Sequence, residues 1–326
     1  MKKSIVVIGS ANTDMILKVD RIPRPGETIL GGQFAIATGG KGANQAVGAA
    51  RAGARVKFVA RVGCDAFGER TIAGLCRDGI NVDGVFRDKF VPSGVALIFV
   101  AKDGENCIAV ASGANARLSP GDVHTTKAAF NGASVLVMQL ETPLATVQAA
   151  AELAAHYGVR VILNPAPARP LPNKLLKLVS ILTPNESEAE ILTGVKVDGA
   201  RAASKAANKL LARGVHTVII TLGPRGAFVA SAGGGQLVPG FAVKAVDTTA
   251  AGDVFNGALA VALAEGESLL EAVRFANAAA ALSVTKLGAQ PSAPQRSEIV
   301  RFLKARSGGS RSIEGRPAKS ANSQGW

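Results

Sequence analysis

One stretch of the sequence, residues 246–259, places a carboxylate where a helix is expected to begin. It reads VDTTAAGDVFNGAL and passes from β-branched residues typical of a strand end, through a turn of small residues, to an apolar helix opened by Asp253. A helix start has free N–H groups and a partial positive charge, which suit a phosphate oxygen. A carboxylate beside such an anion is useful when it takes a proton from a hydroxyl that attacks phosphorus. The stretch therefore indicates phosphoryl transfer, and helix capping by Asp253 is the competing interpretation.

A second stretch, residues 39–53, sets a lysine among three glycines. It reads GGKGANQAVGAARAG, and we predict a loop at its glycines followed by a small-residue helix over residues 43–52. The P-loop pattern GxxxxGK[ST] is absent because Gly42 follows Lys41 where Ser or Thr is needed, and GxGxxG does not match either. Lys41 has no evident packing role among glycines, which makes it a candidate ligand-binding residue, with a solvated loop lysine as the alternative.

Alternating strand and helix patterns predict an α/β fold, with a doubly wound, mostly parallel sheet flanked by helices. In open sheets of this kind the ligand crevice lies at the carboxyl ends of the strands. Several predicted strands are followed directly by polar or small residues, and we expect these to converge on one site. They are Glu141, Asn164, Asn185, Gly223 and the turn at Ala250.

Further extended segments predict a small separate β-sheet that acts as a lid. The first segments lie within about residues 12–37, which begin with a polar turn containing Asn12 and Asp14. The second segments lie within residues 94–112 and form a hairpin around Asp103-Gly104. The first helices of the main domain separate the two segments in sequence. Because such a sheet leaves open edges and an apolar face, we expect it to pair with a second copy in a homodimer.

Composition narrows the class of protein further. The chain has 326 residues, 48% of them hydrophobic, and a formal charge of +13. The basic residues are scattered with few aromatics between them, so no nucleic acid partner is expected. No apolar run approaches a membrane span, and the three cysteines show no metal-binding or disulfide spacing. We therefore expect a cytoplasmic protein with reduced thiols and no membrane partner.

The domain organisation expected from the sequence is one domain over residues 1–305 and a basic, disordered tail over residues 306–326. The tail is rich in serine and glycine, a composition that cannot bury a core. Within it, residues 313–316 (IEGR) match a protease site often built into expression vectors. This match raises the hypothesis that part of the tail derives from a vector.

Two separated signatures give the sequence a resemblance to the ribokinase-like family of carbohydrate and nucleoside kinases. They are GGKGANQAVGAARAG at residues 39–53 and DTTAAGDVFNGAL at residues 247–259. Shorter matches lie between and after them: NPAPA at 164–168, TPNESEAE at 183–190, VPGF at 238–241 and KLGAQPS at 286–292. The resemblance covers about residues 3–305 and favours a catalytic Asp253 over a capping one.

The resemblance implies transfer of the γ-phosphoryl group of ATP to the O5 hydroxyl of ribose. It makes Asp253 the general base, and it places an anion hole at the N–H groups of Ala251, Gly252 and Asp253. The expected sugar-binding residues are Asn12, Asp14, Gly40, Lys41, Asn44, Glu141 and Asp253. The expected nucleotide-binding residues are Asn185, Thr221, Gly223, Gly226, Gly252 and Asn277.

The same resemblance implies two cations. The Asn185-x-x-Glu188 pair matches a magnesium motif in which Glu188 acts through water, since Mg²⁺ keeps much of its hydration shell. A monovalent-cation loop for K⁺ is implied in which one carboxylate and several backbone carbonyls bind the ion. Its expected members are Asp247, Thr249, Ser283, Lys286, Gly288 and Ser292.

Two alternatives stay open at this stage. The first is a sibling kinase acting on 2-deoxyribose, fructose or a nucleoside, because specificity depends on pocket shape. The second is a catalytically inactive regulator that only binds sugar, which an intact Asp253, Asn185 and Glu188 argue against.

Overall fold

A nine-stranded sheet forms the centre of the molecule in the computed structural model, which describes residues 4–103 and 105–307. Seven neighbouring strands run parallel, and a hairpin adds two antiparallel strands at one edge. In spatial order the strands are β13 (Gly234–Pro239), β12 (Gly226–Ser231), β11 (Thr217–Thr221), β10 (Ile181–Leu182), β9 (Arg160–Leu163), β8 (Ala133–Met138), β1 (Ser4–Ile8), β4 (Arg55–Gly63) and β5 (Asn81–Asp88).

Helices cover both faces of this sheet, which confirms the doubly wound α/β prediction. Strand β1 shows why, because all five of its residues are buried. Ile5 and Val7 point into one apolar core, and Val6 and Ile8 into the other. The helices of the described residues are α1 (Lys41–Arg51), α2 (Ala66–Arg77), α3 (Pro120–Thr125), α4 (Leu144–His156), α5 (Asn173–Leu176), α6 (Glu186–Thr193), α7 (Ala200–Leu211), α8 (Ala251–Glu265), α9 (Leu269–Ser283), α10 (Ala289–Ser292) and α11 (Arg296–Ser307).

A separate four-stranded sheet forms the predicted lid. Its order is β3 (Gln33–Gly39), β2 (Asn12–Lys18), β6 (Gly94–Val100) and β7 (Asn106–Ala111). The α1, β4, α2 and β5 elements separate its two halves in sequence, as expected. The predicted turn of β6–β7 includes Gly104, which lies outside the described residues.

Several local predictions were wrong. Asn12 and Asp14 lie within strand β2, not in a turn, because only three residues separate β1 from β2. Helix α1 begins at Lys41, two residues earlier than predicted, so Gly42 is helical and not part of a loop. Residues 246–249 form no strand, although their β-branched content favoured one.

The C-terminal helix α11 continues to Ser307, so the first two residues of the predicted tail are helical. The rest of that prediction, residues 308–326, lies outside the described residues. None of the helices in the described part of the chain has the length and apolar character that a membrane crossing requires.

Candidate active site

The point where the strand order reverses lies between β1 and β8. From β1 the chain first adds β4 and β5 on one side and later β8 on the other. Just beyond these two strands, the Ser10 hydroxyl donates to Glu141 at 2.5 Å. The backbone N–H of Lys41 donates to the same carboxylate oxygen at 3.0 Å. Glu141 therefore joins both strand ends to the start of α1, at the position where open α/β sheets bind ligands.

Helices α1 and α8, which contain the two signatures, pack closely because each has a glycine at the crossing. A Cβ on Gly257 would lie 2.7 Å from the backbone nitrogen of Ala49 and from the carbonyl oxygen of Gln45. A Cβ on Gly48 would lie 3.3 Å from the Cα of Val254. This close approach brings the polar side chains of α1 within hydrogen-bonding distance of the first turn of α8.

Asp253 is buried in the first turn of α8, with only 6% of its surface exposed. One carboxylate oxygen accepts from Gln45 Nε2 at 2.9 Å, and the other accepts from Asn44 Nδ2 at 3.1 Å. Burial raises the pKa of Asp253, while the charge of Lys41 and these two hydrogen bonds oppose the rise. A carboxylate with this surrounding can accept a proton, which is what a general base needs.

The turn before Asp253 exposes the start of α8 to the cleft. Ala250 adopts a left-handed conformation with φ of 59°, which is unfavourable for a residue with a Cβ. At Gly252 a Cβ would meet no atom within 4 Å, so the backbone there has open space in front of it. Ala251, Gly252 and Asp253 line the cleft, although the N–H of Ala251 already donates to the carbonyl of Thr248 at 3.3 Å, and an anion hole at these three N–H groups stays a prediction.

Lys41 is the only cation among the residues that line the cleft at the start of α8. Burial alone would lower the pKa of its ammonium, but the negative charges of Asp253, Glu141 and Glu188 raise it. The lysine is therefore held in its charged form beside three carboxylates. In this position its charge offsets their repulsion of an incoming phosphate group.

The lid contributes Asp14 and Asn12 from strand β2. Both are buried, and the Oδ1 of Asn12 accepts from Asn115 Nδ2 at 2.7 Å. Burial, followed by the charges of Glu141 and Asp253, raises the pKa of Asp14 to about 6. Gly39 on the neighbouring strand makes room for this carboxylate, since a Cβ there would lie 2.1 Å from its Oδ2.

We predict from this pKa that sugar affinity falls as the pH drops below about 6. A raised pKa means that Asp14 becomes protonated as pH falls through that value, and it then loses acceptor capacity for sugar hydroxyls. At pH 5 about one molecule in ten keeps the carboxylate ionised, so the apparent affinity for ribose should be about tenfold weaker than at pH 7. Calorimetric titration of ribose measures this, and Asp14→Asn should remove the dependence. Equal affinities of the unaltered protein at both pH values would contradict the prediction.

The predicted nucleotide-binding residues are brought together only in part. Asn185, Thr221 and Gly252 all line the cleft, and a β-bridge joins Asn185 to Thr221. Asn277 is buried in α9 and donates to the carbonyl oxygens of Val238 and Pro239, both at 3.2 Å. Its nucleotide contact stays a prediction, since its amide nitrogen already has these partners.

The two glycines of the 221–226 loop differ in surroundings. Gly223 has φ of 56° and open space beyond its Cα, which suits a ligand that approaches the backbone. Gly226 has φ of 99°, and a Cβ there would lie 2.2 Å from the carbonyl oxygen of Val238. Close packing within the β12–β13 hairpin is therefore enough to explain why residue 226 is a glycine, without a bound ligand.

Glu188 lies in the first turn of α6 and lines the cleft. Its Oε2 accepts from the backbone N–H of Asn185 at 2.9 Å, and Asn185 Oδ1 accepts from the N–H of Glu188 at 2.8 Å. This reciprocal pair is a capping box, an arrangement that did not enter the sequence interpretation of the motif. One Glu188 oxygen remains for a metal-bound water. Burial raises the pKa of Glu188, with the Asn185 hydrogen bond and the charge of Lys41 acting against the rise.

The predicted K⁺ residues lie where two backbone segments meet. Asp247 accepts from the N–H of Thr249 at 2.9 Å and from the N–H of Gly288 at 2.8 Å. Although burial opposes it, these hydrogen bonds lower the pKa of Asp247 and keep the carboxylate ionised. The Lys286 ammonium donates to Glu298 at 2.8 Å, and binding of K⁺ by the Lys286 carbonyl stays a prediction.

The remaining residues of the predicted cation loop are Ser283 and Ser292. Their hydroxyls donate to backbone carbonyls, to Ala280 and Ala289 respectively, both at 2.8 Å. Within the described residues, no three His, Cys, Asp or Glu side chains are grouped as a metal site. A K⁺ ion here would therefore depend on Asp247 and backbone carbonyls, which suits a hard cation that prefers oxygen.

The sequence interpretation missed the buried amides that surround Asp253. Gln45, Gln139 and Asn256 are all buried: Gln45 donates to Asp253, Gln139 donates to Gln45, and Asn256 donates to the carbonyl oxygen of Gly252. Gln45 lies in the first signature, one position after Asn44. Asn256 lies in the second signature, three positions after Asp253. The helical period would have placed these residues on the inner faces of α1 and α8, but it does not indicate which partners they meet.

The cleft has a cavity volume of about 170 Å³. A buried carboxylate, a charged lysine and an exposed helix start share its surface. It is lined by Lys41, Asn164, Ala166, Thr183, Asn185, Glu188, Thr221, Thr248, Ala250, Ala251, Gly252, Asp253 and Asn256.

Comparison with known proteins agrees with this geometry. A model of the pfkB family of carbohydrate kinases matches residues 2–296. The chain is 48% identical over 303 residues to a ribokinase of Haemophilus influenzae, covering 93% of this chain and 99% of the relative. It is 39% identical over 300 residues to a deoxyribokinase of Salmonella typhi, with 92% and 98% covered. The solved structure of Arabidopsis thaliana ribokinase complexed with ribose and ATP has a TM-score of 0.87 at 36% identity, covering 93% of this chain and 99% of that one.

The nine-stranded sheet with its flanking helices and the separate small sheet are thus the architecture of a carbohydrate kinase. The chain belongs to the pfkB family of these enzymes.

Proposed function

We propose that this protein is a ribokinase, which transfers the γ-phosphoryl group of ATP to the O5 hydroxyl of D-ribose and releases ribose 5-phosphate and ADP. The observation that carries the proposal is the position of Asp253, a buried carboxylate in the same helical turn whose N–H groups face the cleft. Base and anion site are thereby adjacent, as attack of a hydroxyl on a phosphoryl group requires.

The relatives support ribose as the acceptor. Proteins named ribokinase share 40–48% identity with nearly the whole chain, among them those of Haemophilus influenzae and Staphylococcus aureus. In the proposed complex, Asn12, Asp14, Gly40, Lys41, Asn44 and Glu141 bind the sugar. In the same complex, Asn185, Thr221, Gly223, Gly226, Gly252 and Asn277 bind the nucleotide. The expected location of this activity in the cell is the cytoplasm.

The function is tested by coupled ADP release with Mg-ATP and K⁺ across ribose, 2-deoxyribose, fructose and adenosine. A clear preference for ribose in kcat/KM is the expected result. Preference for another acceptor would keep the mechanism and reassign the sugar-binding residues. Binding of ribose without turnover of any acceptor would instead indicate the sugar-binding regulator.

The second candidate acceptor is 2-deoxyribose, and a specific observation favours testing it. The deoxyribokinase relative is nearly as similar to this chain as several of the ribokinases. The two sugars differ by one hydroxyl, and a site built to hydrogen-bond a hydroxyl rejects the analogue that lacks it by a large factor.

We propose that Mg²⁺ reaches the site with ATP and is held through water by Glu188, whose second oxygen remains available. K⁺ is proposed at the Asp247 loop, which directly precedes the first turn of α8 and can order it without touching substrate. Replacing K⁺ by tetramethylammonium at constant ionic strength should lower kcat about tenfold, a typical coupling between two sites. Asp247→Asn should reduce the difference between the two salts. Unchanged kcat on cation exchange would remove the K⁺ site.

A homodimer through the lid is the proposed assembly. Apolar side chains on the lid are exposed, with Phe34 at 61%, Ile108 at 54% and Val110 at 51%. Light scattering should give twice the chain mass of 33.1 kDa, and Ile108→Lys should shift the mass toward one chain. Leu237→Lys is the matched control, because Leu237 is an exposed apolar residue on an edge strand of the other sheet. A single-chain mass for the unaltered protein would contradict the assembly.

A further inference from the structure

One fully buried amide, that of Gln45, holds the carboxylate of Asp253. Its Nε2 donates to Asp253 Oδ1 at 2.9 Å and to Asn164 Oδ1 at 3.2 Å. Its Oε1 accepts from Gln139 Nε2 at 2.6 Å. Both N–H bonds and the carbonyl of this amide therefore have partners. The donor from Gln139 fixes the orientation, because a flipped amide would set its oxygen against the carboxylate.

The same amide connects to the predicted anion hole by a second path. Asn164 Nδ2 donates to the carbonyl of Thr183 at 3.0 Å, and the Thr183 hydroxyl donates to Asn256 Oδ1 at 2.7 Å. Asn256 Nδ2 in turn donates to the carbonyl oxygen of Gly252 at 2.8 Å. A continuous set of buried polar contacts thus supports the base on one side and the first turn of α8 on the other.

We propose that Gln45 is a positioning residue for phosphoryl transfer, which orients the Asp253 carboxylate toward the acceptor hydroxyl and keeps it ionised. The proposal deepens the proposed function and rests on it, because it needs Asp253 to be the general base. Gln45 is not among the residues that line the cleft, so it reaches the reacting groups through its hydrogen-bond partners, and Asp253 is the partner through which we propose that it acts.

The hydrogen bond from Gln45 to Asp253 predicts the direction in which the pKa of Asp253 changes when Gln45 is replaced. The hydrogen bond from Gln45 stabilises the ionised form and lowers the pKa of Asp253 against the effect of burial. Without this donor, Asp253 would bind its proton more tightly and would reach its active form only at higher pH. A side chain that merely filled space would leave this titration where it is.

The test is Gln45→Met, a substitution of similar length without a donor. The acid limb of the kcat/KM profile for ribose should move about one pH unit upward, as loss of a hydrogen bond to a charged group implies. At pH 7, kcat should fall about 10- to 100-fold, while the KM for ribose changes little. Gln148→Met is the matched control, because Gln148 is another buried glutamine, and its hydrogen bond within the described part of the chain is to Glu152 on the same helix, α4. Its profile should match that of the unaltered protein.

A second comparison separates positioning from general destabilisation. In the Asp253→Asn background, Gln45→Met should cause no further loss of kcat, because its effect passes through the carboxylate that is already gone. Equal fold losses in both backgrounds would overturn the proposal, as would an unshifted acid limb. Failure of the proposed function itself is visible separately, as wild-type turnover by Asp253→Asn alone.

Circular dichroism shows whether Gln45→Met folds. If it does not, Gln139→Met tests the same idea, because it removes the donor that orients Gln45 and leaves Gln45 in place. Its acid limb should move in the same direction by a smaller amount. An unmoved limb in a folded Gln139→Met enzyme would overturn the proposal.

Discussion

Asp253→Asn should lower kcat by about 10² to 10⁴, the usual contribution of a general base. The amide is nearly isosteric with the carboxylate but cannot take the proton of the attacking hydroxyl. Ribose and ATP should still bind, since the rest of the cleft is unchanged. Steady-state kinetics give kcat, and calorimetry gives the two affinities. One side effect is expected, because the new amide places its nitrogen against a donor, either Asn44 or Gln45, and stability should fall slightly.

Asp122→Asn is a well-matched control for that experiment. Asp122 is also the third residue of a helix, follows a glycine, and accepts the backbone N–H of Ser119 at 2.8 Å. It lies in α3, away from the cleft residues, and pairs with Arg61. Its substitution should leave kcat unchanged. If Asp253→Asn behaved in the same way, Asp253 would be a structural residue that joins α1 to α8 through Asn44 and Gln45, and not a base.

Lys41→Met should produce the second large effect, a fall in kcat of about 10²-fold. The substitution removes the positive charge that the cleft places beside Asp253, Glu141 and Glu188. The carboxylates would then repel the transferred phosphoryl group, and the loss of a fixed charge at such a site typically costs about this factor. Asp253 would also gain affinity for its proton, because the charge of Lys41 lowers its pKa. The acid limb of the pH profile should therefore shift upward together with the fall in kcat.

Lys57→Met is the control for charge loss in general. Lys57 is also partly buried, and its ammonium donates to the carbonyl of Ala129 at 3.1 Å, away from the residues of the cleft. Its replacement should change stability but not kcat. Similar kinetics for Lys41→Met and the unaltered enzyme would mean that Lys41 is an ordinary solvated lysine with no role in phosphoryl transfer.

The fold was predictable because its strands and helices repeat strong apolar patterns. Strand β1, for example, contains four consecutive β-branched apolar residues, Ile5 to Ile8, and all four are buried. Strand β5 and the β12–β13 hairpin were not predicted. Strand β5 contains charged residues and is only partly buried, so it has no continuous apolar run. The prediction of a strand end at residues 246–249 was wrong. β-branched content reflects intrinsic propensity, whereas a strand forms only where a neighbouring strand pairs with it.

The site was predictable in its motifs but not in its contacts. The signatures identified Asp253 and Lys41, yet the roles of several glycines come from three-dimensional packing. Gly42 illustrates the point, because a Cβ there would lie 2.6 Å from the backbone of Gly9 and Ser10. No local pattern indicates that α1 starts directly against the turn that follows β1. Gln45 was missed for the same reason, since its partners are about 94 to 208 residues away in sequence.

The way the lid is inserted into the chain has a consequence for how the choice of acceptor evolves in such enzymes. The chain leaves the main sheet after β1 and returns at α1, then leaves again after β5 and returns after β7. Among the described residues, the strands of the lid pair with one another and not with the nine-stranded sheet. Lid segments can therefore be exchanged between homologues without rebuilding the main sheet or the start of α8. In evolution, or in a laboratory chimera, the proposed contribution of Asn12 and Asp14 to acceptor choice can diverge while the start of α8 is inherited intact.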